Sequence, residues 1–136
     1  MPDARRMLIA GEARGTVLAL DEPLSFWGGF DAETGTVIDR AHPQVGASLA
    51  GRVVVMPFGR GSSSGSSVLA EAIREGTAPA ALVLAESDEI IVLGAIIAEE
   101  VYGITMPIAI VDPNGYAEIA ASQTAIIAPD GTITTS

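Results

Sequence analysis

The stretch richest in chemistry-bearing side chains is Phe58-Gly59-Arg60-Gly61-Ser62-Ser63-Ser64-Gly65-Ser66-Ser67, five hydroxyls and one guanidinium among three glycines. It follows the apolar run Val53-Val54-Val55-Met56 and leads into amphipathic sequence. A buried strand feeding a helix through such a loop offers free backbone N–H groups and the positive end of a helix dipole. Gly59, Gly61 and Gly65 let the chain turn and let a ligand come close. Arg60 adds a fixed cation that suits a carboxylate or a phosphate. These residue types in this order predict an anion site.

Four readings compete for the loop, two of them sharp: a dinucleotide site and a catalytic serine. A flexible linker fits poorly, because a strand-to-helix connection is normally short and structured. A dinucleotide site would use Gly59, Gly61 and Gly65 as an altered fingerprint, with Glu86 at the end of the next strand as the ribose acid. Its spacing departs from the common form, and a P-loop is excluded because the chain has no lysine. A serine acting as a base would have its alkoxide stabilised by the helix start, neighbouring N–H groups and Arg60. The plainest reading is that the serines only cap the helix. A Ser-His-Asp hydrolase has no support: His42, the one histidine, lies far upstream and no GxSxG elbow occurs.

Composition narrows the classes. The 136 residues are enough for one domain, 1–136, with a real core. Nearly half are apolar. The strongest apolar run, 90–98, is too short to span a bilayer. Arg5 and Arg6 precede no apolar signal core, so a cytoplasmic location is the expectation. Net charge of −10 argues against nucleic acid. No cysteine is present, which removes disulfides, a thiol nucleophile and thiolate metal ligands. All seven basic residues are arginines, so a lysine Schiff base is excluded.

The elements that must position the loop follow from periodicity. Strands are predicted over 7–12, 15–20, 36–38, 52–56, 80–85 and 107–111, and a hairpin over 124–128 and 132–135 around Pro129-Asp130-Gly131. Helices are predicted over 66–75, stopped by Gly76, and from Ser87 as cap to Tyr102, stopped by Gly103. The apolar residues at 90–97 cover more than one helical face, which predicts a helix sandwiched in the core, with cover by a partner as the alternative. The fold class is α/β: a central parallel βαβαβ unit with flanking β-strands.

In that setting three stretches carry a family resemblance: LSFWGGFDAETGTVID at 24–39, HPQVGASLAGRVVVMPFGRGSSSGSSVLAEAIREGTAPAAL at 42–82 and GAIIAEEVYGITMPIAIV at 94–111. Together they resemble the small subunit of aconitase X, a member of the aconitase-type swivelling-domain proteins. The resemblance implies a swivelling β/β/α domain covering the active site of a separate large subunit. It implies a dehydratase, a carbon–oxygen lyase active only as that heterodimer. In the superfamily a loop serine acts as an alkoxide base; the first serine after Gly-Arg-Gly here is Ser62. Arg60, Gly61, Ser63 and Ser64 would then bind a small carboxylate-bearing substrate. Aconitase proper has an arginine soon after its serine pair, where this sequence has Ser64 and Gly65, so citrate and isocitrate are not expected. Aconitase X relatives are associated with cis-3-hydroxy-L-proline in bacteria and with 5-phosphomevalonate in archaea. The exclusive use of arginine and the SSSGSS form favour hydroxyproline. The iron or iron–sulfur cluster implied by the superfamily is expected in the large subunit, with no cofactor in this chain. The rival classes are a non-catalytic lid and a nucleotide- or anion-binding module.

Other polar and aromatic residues have two readings each. Trp27 is either an aromatic wall over a ligand or packing for the β layer. Asp31, Glu33 and Asp39 read as turn-forming or solvated carboxylates rather than metal ligands. His42 reads as a satisfied loop histidine before it reads as a substrate contact. Arg14, Arg40 and Arg52 read as surface residues, or as partners for acids on a second subunit.

Overall fold

The computed structural model describes residues 4, 6–60 and 63–136. Its main sheet has seven strands in the order β1-β7-β6-β5-β2-β8-β9. At the centre lie β5 (Val53–Met56), β6 (Ala81–Leu84) and β7 (Ile108–Ile110), all parallel. They are short runs of β-branched and aliphatic residues, and apart from the partly covered Ile110 every residue in them is buried. That is the pattern of strands covered on both faces. Alternation then divides them between two cores. Val54, Met56, Leu82, Leu84 and Ile108 face the helices α1 (Gly65–Glu75) and α2 (Glu89–Tyr102). Val53, Val55, Ala81, Val83 and Ala109 face a second cluster with Ile119, Ile127 and Ile133.

The flanking strands differ in direction. β1 (Arg6–Ile9) runs antiparallel to β7, at one edge. β2 (Ala13–Ala19) serves two ladders: Val17 to Ala19 lie parallel to β5, and Ala13 to Thr16 pair antiparallel with β8 (Thr124–Ile127). β8 returns in a hairpin as β9 (Ile133–Thr135). One strand shared in this way curls the sheet over the second core. β3 (Phe30–Asp31) and β4 (Thr36–Val37) form a separate small sheet on the α1 side. Phe30 anchors it, edge-on to Phe26 with centroids 5.1 Å apart.

Three expectations need correcting. Ser87 does not cap α2; Asp88 does, its Oδ1 accepting from Ile90 N and Ile91 N at 3.0 Å each. A carboxylate in extended backbone one residue nearer the helix outcompetes the hydroxyl. Asp88→Ala should therefore lower stability by about 1 kcal/mol, read as a lower urea midpoint at unchanged slope. Second, α2 is not sandwiched. Ile91, Gly94, Ala95 and Ala98 are buried, whereas Leu93 and Ile96 on the opposite side are 46% and 43% exposed. Third, sequence patterning gives no element between β7 and β8, yet a third helix, α3 (Pro113–Ala120), covers the second core through Ile119. Asp112 caps it by accepting from Gly115 N at 2.7 Å, with Pro113 at its start.

Candidate active site

The serine loop leaves the end of β5 and enters α1, as a strand–loop–helix unit should. Its first half is fixed by close packing. Gly59 bridges to Leu24, and Arg60 N donates to Leu24 O at 3.3 Å. A Cβ on Gly59 would stand 2.5 Å from Ile91 Cδ1 and 2.7 Å from Asp88 Oδ2, so this glycine allows the loop to lie against the start of α2. Up to Arg60 the segment is thereby held by packing and backbone hydrogen bonding, unlike a flexible linker. The second half of the loop starts α1. Ser66 turns inward: its Oγ donates to Ser63 O at 2.8 Å and its N–H to the same oxygen at 3.1 Å. Ser64 is the N-cap residue, yet its side chain makes no capping hydrogen bond. Capping therefore does not account for the exposed Ser63 and Ser64.

Arg60, Ser63 and Ser64 are all exposed at this mouth. Gly61 and Ser62, between them, lie outside the described residues. The sequence reading missed one neighbour. Asp39 Oδ2 stands 3.8 Å from Arg60 Nη2, bringing the turn after β4 to the loop. Its other oxygen accepts from Ala41 N at 2.9 Å, so the turn-forming reading of Asp39 is correct as far as it goes. Nothing in one sequence pairs position 39 with position 60; the signal was only a carboxylate within the 24–39 motif.

The remaining candidates separate. Phe26, not Trp27, packs in the core, while Trp27 is 57% exposed beside the start of α1. His42 is buried: Gln44 N donates to Nδ1 at 3.0 Å, so Nε2 carries the proton and donates to Glu22 O at 3.0 Å. It is the satisfied loop histidine, with both ring nitrogens engaged. Glu86 N donates to Pro57 O at 3.0 Å, so the end of β6 does adjoin the loop. However, the space beside Gly59, which a pyrophosphate would need, holds the Asp88 carboxylate. Like charge there opposes a dinucleotide.

The sequence has no cysteine, and among the described residues no three histidine, aspartate or glutamate side chains gather to hold a metal. Among the described residues no helix is long and apolar enough to cross a membrane.

Comparison with known proteins gives a consistent set. The family model for the aconitase X swivel domain matches residues 3–135. A cis-3-hydroxy-L-proline dehydratase of Pseudomonas aeruginosa is 55% identical over 104 residues, which are 76% of this chain and 18% of that protein. The phosphomevalonate dehydratase small subunit of Methanothermobacter thermautotrophicus is 46% identical over 93 residues, 68% of this chain and 71% of that one. The crystal structure of Thermococcus kodakaraensis aconitase X in its holo-form superposes with a TM-score of 0.82 at 31% identity, covering 98% of this chain and 95% of that one. The chain spans about a fifth of the length of the first two curated relatives it matches, 18% and 19%.

Proposed function

The chain belongs to the aconitase X swivel-domain family, and from that premise we propose that it is the small subunit of a hydro-lyase that dehydrates cis-3-hydroxy-L-proline, with Ser62 as the general base. The large subunit is its partner and supplies the rest of the active site, including any iron or iron–sulfur cluster. The pair works in the cytoplasm. The observation that carries the reading is the mouth between β5 and α1, with Arg60, Ser63 and Ser64 exposed there and flanking Ser62 in sequence, in a chain 55% identical over 104 residues to a protein named for this dehydration.

The chemistry follows from charge. The Ser62 alkoxide takes the proton from the carbon bearing the carboxylate. The electron pair forms the carbon–carbon double bond, and the hydroxyl leaves from the adjacent carbon as water, with a proton equivalent to the one Ser62 gives up in returning to the alkoxide. Arg60 holds the carboxylate and offsets the charge that develops on it. Ser63 and Ser64 offer hydroxyls to the same substrate, and the N-terminal end of α1 favours the anion. No step is assigned to a metal in this chain.

Phosphomevalonate is the second reading, favoured by the 46% identity to an archaeal small subunit. Charge speaks against it. The chain carries −10, and the Arg60 guanidinium at the mouth already faces a carboxylate. A phosphorylated acid brings two anionic groups to that place.

The test is a dehydration assay on this chain co-expressed with its large subunit, offered both substrates. Turnover of hydroxyproline that needs both chains is the expected result; turnover of phosphomevalonate alone would replace the substrate, and turnover of neither by a well-formed complex would overturn the reading. Assembly has its own signal. Trp27 is the only tryptophan and is exposed, so its emission should shift to the blue when the large subunit is added and closes over the mouth. An unchanged spectrum on a formed complex would place the mouth away from the contact.

A further inference from the structure

We propose that Asp39 and Arg60 form a recognition pair for a zwitterionic α-amino acid, Arg60 taking the carboxylate and Asp39 the ring ammonium. The assignment rests on the dehydratase reading above and adds the group that selects an amino acid over a phosphorylated acid.

The two heads come from different parts of the fold and are each placed by backbone. Ile38 N and Asp39 N donate to Gly29 O at 2.9 and 3.4 Å, and Asp39 Oδ1 is held by Ala41 N. Arg60 is rooted on Leu24 O. Their separation, 3.8 Å, is an ion-pair contact beyond hydrogen-bond length. Both side chains stay open to solvent, Arg60 at 49% and Asp39 at 32%. An exposed pair of this kind adds little to stability, and its donors and one carboxylate oxygen remain available to a ligand.

The charge pattern chooses the ligand. The pair is neutral overall but strongly dipolar. A proline-type amino acid is also neutral overall, with its carboxylate and ammonium on one carbon. Laid antiparallel across the pair, it makes two close attractive contacts that outweigh the longer like-charge diagonals. A ligand with two anionic groups and no cation gains only one such contact and meets Asp39 with like charge.

The assigned roles separate in competition experiments on the assembled two-subunit enzyme. L-proline carries both charges; pyrrole-2-carboxylate keeps the ring and the carboxylate, but its N–H is uncharged. Asp39→Asn retains an oxygen for Ala41 N, so the turn and the melting temperature should be kept. It should raise KM for cis-3-hydroxy-L-proline and Ki for L-proline roughly 10- to 100-fold, the range for a contact to a charged group. Ki for pyrrole-2-carboxylate should stay within about twofold. Arg60→Gln should weaken both inhibitors, by a similar range. Equal weakening of both inhibitors by Asp39→Asn would show that Asp39 only orients Arg60, and no weakening of either would show that it faces no ligand; each overturns the assignment while wild-type turnover keeps the dehydratase reading. A wild-type complex that does not turn over hydroxyproline removes that reading and this assignment together.

Discussion

Ser62→Ala in the assembled enzyme should lower turnover by about 10²–10⁴-fold, the usual contribution of a positioned general base, while KM changes only a few-fold. The asymmetry comes from what the hydroxyl does. On the proposed reading Arg60 and the N-terminal end of α1 would hold the carboxylate already in the ground state, so binding should survive the loss of one Oγ. Proton removal occurs only in the transition state and loses its acceptor. α1 is held by Leu69, Ala72 and Ile73, so folding and assembly should be unchanged. Ser63→Ala and Ser64→Ala should cost much less, roughly the tenfold or so of one neutral hydrogen bond. The measurement is steady-state kinetics on the purified complex, with assembly checked by size exclusion. A variant whose KM rises while turnover stays near wild type would make the chain a lid that excludes water and binds the anion, and would end the base assignment.

The central unit was legible because it obeys local rules. Short β-branched runs, one strongly amphipathic helix and two glycines in left-handed backbone, Gly76 at φ 82° and Gly103 at φ 68°, fix β5-α1-β6-α2-β7 almost residue by residue. What the sequence hid was non-local or locally weak. α3 contains Asn114 and Gly115, poor helix formers, and is held by Asp112 and by burial of Ile119 rather than by periodicity. The curl of the sheet depends on β2 pairing with both β5 and β8, which no pattern within β2 announces. In α2 the apolar excess was plain, but its meaning was not. The same residues can be core or exposed stripe, and only the packing of Gly94 against α1 shows which side is in. The candidate site was legible as a loop and not as a constellation: Arg60, Ser63 and Ser64 lie within five residues of sequence, while Asp39 comes to Arg60 from a turn 21 positions away.

Gly94→Ala should destabilise the chain by about 1–2 kcal/mol, against the normal trend for helices. In an exposed helix interior this change gains close to 1 kcal/mol from propensity. Here α2 crosses α1 at Gly94, and the added Cβ would stand 2.8 Å from Ser66 O, 3.1 Å from Leu69 Cβ and 3.2 Å from Leu69 Cδ2. The first of these is backbone and cannot rotate away, so the helices must part, at an overpacking cost of about 1–3 kcal/mol. The melting temperature should fall roughly 3–10 °C for a domain of this size. Leu93→Ala, one residue away but on the exposed side, should stay within about 0.5 kcal/mol of wild type and serves as the control. The strain also reaches the site. Ser66 is the residue whose N–H and hydroxyl both hold Ser63 O, so displacing it moves the segment that follows Ser62. Turnover should therefore fall in Gly94→Ala at temperatures where the protein is fully folded, because a misplacement of a few tenths of an ångström at the base weakens proton transfer. A raised melting temperature would refute the close helix crossing. A lowered one with wild-type turnover would show that the serine loop is held by Gly59 and Leu24 alone.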